Sequence, residues 1–483
     1  MENIHIDMLA ALPEITVLCM AMLILLTDLF IKPQSRFILY GLAQITLFAA
    51  ALFTFQTHVP TVGYAFNDMF VDDSLSDVLK LMTYLGSSIM LVYTRQYMQI
   101  RNMYRGEYYA MVLFAMLGMM IMISSYHMLT IYIGLELLSL CLYSLVAFDR
   151  DNPKASEAAM KYFVLGALAS GMLLYGMSMI YGMTGTLNIA EVASALSEES
   201  NLKNPILIMG LVFVVSGLAF KFGAVPFHMW VPDVYHGAPT SITMFIGTVP
   251  KFAAFAITTR LLAQGLASLA LDWQDMILLM AVFSIAIGNL SAIAQTNLKR
   301  MLAYSTISHI GFLMFGIMSA NLNGFASSMF YISAYVLMTL AGFGMILLLS
   351  KKGFEAEALD DLKGLNQRSP WAAFMMLIVM FSMAGIPPTI GFYAKFTVLQ
   401  AAWQAGFTFA VVFAVLMAVI GAFYYLRIVK LMYFDEPKVL VKTDAPLDMQ
   451  LVLSLNALAL LLLGMFPQVL MSVSGLAIAT SLQ

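Results

Sequence analysis

Five ionisable side chains lie inside stretches of the chain that are otherwise apolar. Glu136 falls in IYIGLELLSL, Lys221 in AFKFGAVPF and Lys251 in FIGTVPKFAAF. His309 falls in YSTISHIGFL, and Lys395 falls in GFYAKFTVLQ. Carboxylates, amines and imidazoles that are buried together can trade protons at near-neutral pH. Their combination therefore predicts a proton relay within the fold.

The cost of burying these charges favours a functional role over an accidental one. A charge in the middle of a bilayer costs at least about 2.5–3.5 kcal/mol. Lys251 is too deep in its apolar run for its side chain to reach either end, and His309 is about 12 Å into its own run. Three structural alternatives stay open. Glu136 and Lys221 could form an ion pair that only fixes helix packing, His309 could bond a neighbouring helix, and the whole chain could be a scaffold.

Helix-breaking residues accompany two of the buried lysines. Lys221 opens the run KFGAVPFHMWVPDVYHGAPT, and Lys395 follows GIPPTIG. A broken helix inside a membrane frees backbone carbonyls, which then need water or side chains as partners. We therefore expect a small wet cavity at each break, with Lys221 and Lys395 against it. The expected breakers are Pro226, Gly385, Pro387 and Pro388.

Three further residues are candidates for proton uptake. Glu157 and Lys161 are spaced i, i+4 at the start of an apolar run, where a plain helix salt bridge is the simplest interpretation. His228 follows Pro226 and could either pass protons or only cap a loop.

Composition predicts an integral membrane protein. Hydrophobic residues make up 61% of the 483 residues and charged residues 11%, whereas soluble domains are about 45–50% apolar and about 25% charged. A net charge of −3 argues against nucleic-acid binding. Cys19 and Cys141 fall in apolar runs without a Cys/His cluster, so we expect inert buried thiols and no metal or cofactor site on this chain.

Apolar runs of about 20 residues, the length needed to cross a bilayer, occur about fourteen times. An all-α fold is therefore expected. The predicted spans are 9–31, 37–56, 75–94, 109–125, 128–148, 159–182, 205–224, 238–262, 276–294, 301–320, 325–349, 372–400, 407–433 and 450–473.

The distribution of basic residues predicts the orientation. Lys and Arg collect in every second loop, as in short cytoplasmic loops, whereas the opposite loops hold mainly acids. Both termini should therefore face the outer side. The basic loops hold Lys32, Arg36, Arg95, Arg101, Arg105, Arg150, Lys154, Lys161, Lys299, Arg300, Lys351, Lys352, Lys363, Arg368, Arg427, Lys430, Lys438 and Lys442. The opposite set holds Lys80, Lys203 and Arg260 with Asp68, Asp72, Asp73, Glu191, Glu198 and Glu199.

The two interrupted spans predict internal symmetry. They are the seventh and twelfth, five apart, so the chain enters them from opposite sides. Paired broken helices of opposite orientation are typical of inverted-repeat transporters. We expect one polytopic membrane domain over 1–483, with five-helix repeats at 109–262 and 276–433.

The motifs together resemble those of the antiporter-like proton-channel subunits of respiratory complex I. They are GLELLSL, KFGAVPFHMWVPDVYHGAPT with PK at 250–251, QTNLKRMLAYSTISHIG and AGIPPTIGFYAKF. Of the three related subunits, the chain is most similar to the N-type. It is compact, and Lys395 stands where the M-type subunit is expected to have glutamate.

The resemblance implies a role for each buried residue. Glu136 and Lys221 match the family's ion pair, Lys251 its central lysine, His309 the bridge between the halves, and Lys395 the terminal lysine. The implied route runs from the cytoplasm through Lys221, Lys251, His309 and Lys395 to the exterior.

The resemblance also implies the setting. The chain would be a non-redox, proton-translocating subunit of NADH:quinone oxidoreductase in the bacterial cytoplasmic membrane. NADH, FMN, iron–sulfur clusters and quinone would belong to other subunits, and M-type and K-type subunits and membrane lipids would be its neighbours. The alternative is a subunit of a sodium/proton antiporter or a membrane-bound hydrogenase, which share the same plan.

Overall fold

The fold is known from a computed structural model that describes residues 7–58, 62–197, 203–437 and 445–482. The loop residues Glu198, Glu199, Lys438 and Lys442, on which part of the charge pattern depends, lie outside the described residues.

Helices make up nearly all of the regular structure. In chain order they are α1 Leu12–Asp28, α2 Phe37–Thr57, α3 Ser74–Ile100, α4 Gly106–Ser124, α5 Met128–Val146, α6 Pro153–Thr184, α7 Ile189–Ala195, α8 Pro205–Phe222, α9 Trp230–Gly237 and α10 Thr240–Gly247. They continue with α11 Pro250–Thr258, α12 Ala270–Ile293, α13 Leu298–Met318, α14 Leu322–Leu349, α15 Leu365–Arg368, α16 Pro370–Ala384, α17 Ile390–Gln404, α18 Thr408–Phe434, α19 Leu447–Met465 and α20 Gln468–Ser481.

Local sequence explains where several of these helices begin. The side-chain oxygen of Asn152 accepts from the backbone N–H of Lys154 at the start of α6, and Asn204, Asn297 and Asn321 cap α8, α13 and α14 in the same manner. Asparagine suits this position because its oxygen satisfies one of the N–H groups that the first turn leaves without a partner. Each of these caps lies in a stretch that the sequence predicted to be a loop between two apolar spans.

Within the described residues, twelve helices are long and apolar enough to cross a membrane. Two predicted spans fall outside this set. The first is a helix of only 17 residues, α1, and the twelfth is divided into α16 and α17, of 15 residues each. The last predicted span, 450–473, also differs, because the chain turns at Phe466 between α19 and α20.

The all-helical fold that the sequence predicts is confirmed. A short antiparallel hairpin, β1 Gly63–Ala65 with β2 Phe70–Asp72, lies in the loop before α3. One smaller expectation was wrong. Cys19 was expected to be buried but is exposed, because α1 packs on the bundle with only one face.

The middle of the bundle is formed by α10, α11, α13 and α14, whose residues are almost all buried. By contrast α2, α18 and α19 expose broad apolar faces that include Phe48, Phe409 and Leu455. Helices that are apolar all round and central belong to the interior of a large bundle. The residues predicted to do chemistry, Lys251 and His309, therefore lie on the most enclosed helices.

A buried ion pair holds the end of α11 against the β-hairpin. After α11 the chain makes a π-helical turn, Thr259–Gly265, which carries the fully buried Arg260. Both terminal nitrogens of Arg260 donate to the carboxylate of Asp73, at 2.7 Å each. Burial by itself would raise the pKa of Asp73, but the Arg260 guanidinium overcomes this effect and lowers it. The pair is thus fully charged at neutral pH.

A second ionic cluster lies beside it. The ammonium of Lys80, expected in an outer loop, is 2% exposed and lies 2.7 Å from Glu14 of α1. Asp77 lies 2.6 Å from the ring of His58. In β2, burial and the neighbouring Asp77 raise the pKa of Asp72 to about 7. These contacts attach α1 and the hairpin to α3.

We predict that Arg260→Leu destabilises the protein, because it leaves the carboxylate of Asp73 buried without its cation. Breaking a buried ion pair from one side costs about 3–5 kcal/mol. The double variant Arg260→Leu with Asp73→Asn should recover much of this loss, since asparagine is neutral and still caps α3. Thermal unfolding of the purified assembly measures both effects, and equal melting temperatures for the single variant and the wild type would contradict the prediction.

Candidate functional site

Two helices end inside the bundle with the same cap. At the end of α8, Gly223 has a φ of +79°, and the N–H of Ala224 donates to the carbonyl of Ala219 at 2.9 Å. At the end of α16, Gly385 has a φ of +84°, and the N–H of Ile386 donates to the carbonyl of Phe381 at 2.9 Å. Both are Schellman motifs, which need a residue of positive φ after the last helical residue, and glycine adopts that φ without steric strain. The last carbonyls of each helix are left without a helical partner.

A lysine ammonium satisfies those carbonyls at each break. Nζ of Lys251 donates to the carbonyls of Lys221 and Phe222, at 2.9 Å each. Nζ of Lys395 donates to the equivalent carbonyls of Met383 and Ala384, at 3.0 and 2.9 Å. The sequence correctly placed Lys395 against its break. For the first break it selected Lys221, whereas Lys251 from α11 occupies that position.

The side chain of Lys221 turns instead towards α5 and α6. Its Nζ donates to the hydroxyl of Ser139 at 2.8 Å and lies 3.5 Å from the hydroxyl of Ser170. Glu136 is on the same helix as Ser139 but is not within 4.0 Å of Lys221 in the described structure, and its buried Oε1 has no hydrogen-bond partner there. The expected direct ion pair is therefore absent from this arrangement, because Ser139 takes the ammonium.

Lys221 and Lys251 share a small enclosed space. A cavity of about 20 Å³ is lined by both lysines together with Ser139, Tyr162 and Trp230. About 10–15 Å³ is enough for one water molecule. The cavity therefore has room for a single water between the two lysines, with the hydroxyl of Ser139 at its edge.

His309 is held between two tyrosines. Its Nδ1 lies 2.7 Å from the hydroxyl of Tyr331, and its Nε2 lies 3.1 Å from the hydroxyl of Tyr425. The hydroxyl of Tyr425 is also 2.5 Å from that of Ser305. A histidine with a hydroxyl on each ring nitrogen can accept a proton on one side and release it on the other. The sequence identified His309 but neither tyrosine, which come from α14 and α18.

Tyr335 lies between the end of α10, four residues before Lys251, and His309. Its hydroxyl donates to the carbonyl of Gly247 at 2.8 Å and lies 2.9 Å from the hydroxyl of Thr306. Its ring is 5.7 Å from that of His309. Gly247 ends α10, just before the turn into α11 that carries Lys251. Beyond His309, Lys395 lies over the ring of Phe312, 5.1 Å from its centroid.

The three lysines differ from the other buried cations in the chemistry of their partners. Lys80 and Arg260 are each paired with a carboxylate. In the part of the chain that the structure describes, Lys221, Lys251 and Lys395 have only hydroxyl or carbonyl oxygens as hydrogen-bond partners. A cation whose charge is not balanced by a neighbouring carboxylate loses its proton at a lower free-energy cost. This difference sets Lys221, Lys251 and Lys395 apart from the ion pairs of Lys80 and Arg260.

Asp233, which the sequence analysis did not single out, extends the pair of Glu157 and Lys161 into a larger ionic network. Lys161 lies 2.9 Å from Glu157 and 2.9 Å from Asp233 of α9, and Asp233 also lies 3.0 Å from Arg300. His228 is partly buried, in the segment between α8 and α9, and its Nδ1 has no partner among the described residues. The plain i, i+4 salt bridge is thus present, within a wider exposed network.

Comparison with known proteins decides the family. Residues 125–421 match the profile of the family described as NADH:quinone oxidoreductase/Mrp antiporter, transmembrane. The chain belongs to this family. It is 67% identical over 484 residues to NADH-quinone oxidoreductase subunit N of Methylovorus glucosotrophus, and the match covers 100% of both chains. These matches confirm the resemblance that the motifs carried.

Solved structures agree with this assignment. A chain of respiratory complex I from Thermus thermophilus is similar with a TM-score of 0.81 and 29% identity, over 95% of this chain and 98% of that one. A chain of the Mrp complex from Dietzia sp. is similar with a TM-score of 0.85 over 99% of both chains, at 21% identity. The second likeness shows a shared fold only. The full-length identity to subunit N favours the oxidoreductase over the antiporter.

We predict that Tyr425→Phe weakens NADH-driven proton uptake by membrane vesicles several-fold, because Nε2 of His309 loses its hydroxyl partner. Its effect on stability should be small, about 0.5–1.5 kcal/mol for one buried hydrogen bond. Tyr108→Phe is the matched control, since Tyr108 is equally buried and bonds Thr94, outside the site. Equal proton uptake in the two variants would remove Tyr425 from the route.

Proposed function

We propose that the chain carries protons across the membrane as a non-redox, membrane-arm subunit of NADH:quinone oxidoreductase. The observation that carries this proposal is its 67% identity along the whole chain to a relative named NADH-quinone oxidoreductase subunit N. NADH, FMN, iron–sulfur clusters and quinone would be bound by other subunits of the complex. This chain would supply a path for protons across the membrane, and charges in neighbouring subunits would act on that path electrostatically.

The finer topology is part of the same proposal. In addition to the twelve helices of sufficient length, α1 and the broken pair α16 and α17 would each cross the membrane and bring the total to fourteen. Both termini would then lie on the outer side of a bacterial cytoplasmic membrane. The matching caps at Gly223 and Gly385 support inverted repeats at 109–262 and 276–433 within a single membrane domain, 1–483. M-type and K-type subunits and lipids would cover its exposed apolar faces.

The proposed route follows the order that the family resemblance implies, with the groups that lie between its members. A proton from the cytoplasm would reach Lys221, with His228, Glu157 and Lys161 at the surface. It would pass to Lys251 through the cavity that both lysines line. Tyr335 and Thr306 would then lead to His309, and Lys395 would release the proton to the exterior. The breaks at Pro226, Gly385, Pro387 and Pro388 would give the two lysines, Lys251 and Lys395, carbonyl partners that carry no full charge.

Glu136 would be the switch of this relay. Its Oε1 is buried without a partner, and Ser139 holds the ammonium of Lys221. If Glu136 and Lys221 closed to about 4 Å, they would attract each other by about 4 kcal/mol at an effective dielectric constant of 20. Closing and opening the pair would therefore change the free energy of protonating Lys221 by enough to drive a transfer. A charge change in a neighbouring subunit could set the position of Glu136.

We expect Lys221→Ala to abolish most proton pumping while the complex still assembles. A positioned proton-transfer group contributes about 10²- to 10⁴-fold, so at least a several-fold loss should follow. Lys221→Arg should fail as well, because arginine keeps its proton. If the lysine were only structural, arginine would restore function, and so would neutralising Glu136 and Lys221 together. Normal proton uptake by assembled Lys221→Ala vesicles would exclude this residue from the route.

The proposed setting has its own test. We expect the tagged chain, purified from its native membranes, to bring with it flavin, iron–sulfur clusters and NADH:quinone activity. An assembly without redox groups that exchanges sodium for protons would contradict the proposal and favour an antiporter.

A further inference from the structure

A polar cavity of about 170 Å³ lies where the two proposed repeats meet, on the side of the basic loops. It is not part of the route described above. About 10–15 Å³ is enough for one water, so the cavity has room for several. Its walls come from five parts of the chain, among them the end of α3 and the start of α13. The lining includes Tyr97, Lys154, His236, Lys299 and Glu355.

Glu355 fixes one wall of the cavity. Its carboxylate accepts from the hydroxyl of Tyr97 at 3.0 Å, from Arg101 at 2.9 Å and from the hydroxyl of Thr240. These partners come from the end of α3, its C-cap and the start of α10. Both carboxylate oxygens are therefore held by hydrogen bonds from α3, its C-cap and α10.

Lys299 is the deepest charged group of the cavity. It is 3% exposed, and its Nζ donates to the carbonyl of Ala238 at 2.7 Å. An ammonium has three donors. In the described part of the chain no carboxylate lies within ion-pair distance of Lys299, and no other acceptor is within hydrogen-bonding distance of its Nζ. Two donors therefore remain for water in the cavity. Like Lys221, Lys251 and Lys395, Lys299 therefore has no carboxylate as a hydrogen-bond partner among the described residues, although Glu355 and Glu357 line the same cavity.

The groups inward of Lys299 lead to His309. Thr306 is seven residues further along α13, about 10.5 Å, and contacts Tyr335. Tyr235 precedes His236 of the cavity and is fully buried, and its hydroxyl lies close to Thr306 and Tyr335 but makes no hydrogen bond of normal geometry with a described residue. That hydroxyl lies against Gly247, where a Cβ would be only 3.0 Å away. Buried hydroxyls without a partner mark positions for ordered water, and this position is beside the carbonyl that Tyr335 bonds.

We propose that this cavity is a second site of proton uptake, which feeds His309 through Lys299, water at Tyr235 and the Tyr335–Thr306 pair without passing Lys221. Each turnover uses both uptake sites, so loss of either one lowers pumping. Lys299 gives one proton to the inner water and regains one from cavity water, so the charge of the site is restored after each transfer. The inference rests on the proposed function, since it assumes that His309 belongs to a proton route.

Blocking the cavity after assembly tests the inference without a folding defect. Cys19 and Cys141 are first replaced by serine. Lys154→Cys then places a thiol at the exposed rim of the cavity, and Arg150→Cys places one in the same loop but outside the lining. Inverted membrane vesicles are treated with a bulky, membrane-impermeant methanethiosulfonate. NADH-driven proton uptake is measured, together with NADH oxidation by a hydrophilic acceptor that bypasses quinone.

We expect the reagent to lower proton uptake several-fold in the Lys154→Cys variant only, with full recovery after reduction by dithiothreitol. NADH oxidation by the bypass acceptor should be unchanged. Full proton uptake by the labelled Lys154→Cys variant would overturn the inference, and so would an equal loss in the Arg150→Cys variant.

Lys221→Ala in the same vesicles separates this inference from the proposed function. If Lys221→Ala stops pumping and the labelled Lys154→Cys variant pumps normally, only the second uptake site is wrong. If Lys221→Ala pumps normally and labelling stops it, the Lys221 route is wrong and the cavity is the uptake site.

Discussion

The requirement that every backbone carbonyl within a membrane have a donor organises the centre of this protein. Each broken helix ends at a glycine of positive φ, and the cap leaves two carbonyls free. Water cannot reach them in bulk, so a side chain with several donors must take them. Lysine meets this need with three N–H groups. Lys251 and Lys395 take these carbonyls at the two breaks, and the proposed relay uses both positions.

The same geometry explains why these ammonium groups can carry protons. A carbonyl accepts a hydrogen bond from charged or neutral lysine, whereas a carboxylate stabilises only the charged form. Arg260 with Asp73 and Lys80 with Glu14 have carboxylate partners and hold elements together. The lysines of the proposed relay have neutral hydrogen-bond partners, so their protonation can respond to a distant charge. Glu136, whose buried Oε1 has no hydrogen-bond partner among the described residues, is the group that could supply such a charge at Lys221.

The two breaks are alike in their carbonyls but not in the origin of their lysines. Lys395 belongs to α17, the direct continuation of its own broken helix, whereas Lys251 comes from α11, two short helices beyond the first break. The two pairs of carbonyls are therefore compatible with an inverted repeat, although the lysines that bind them do not occupy matching positions in the sequence. Lys221 has no counterpart of its type either, because Met383 occupies the corresponding place before the second break.

Apolar runs and helix-breaking motifs predicted nearly all of the long helices and the depth of Glu136, Lys221, Lys251, His309 and Lys395, because burial of a span depends on its own composition. The partners of these residues were not predictable. Tyr331, Tyr335, Tyr425 and Ser139 lie on other helices and look like ordinary bundle residues in the sequence. Whether Lys251 or Lys221 meets the first break, and whether Lys80 is exposed or paired, depends on how helices pack. Only the tertiary structure decides these contacts, since they join residues that the chain order leaves far apart.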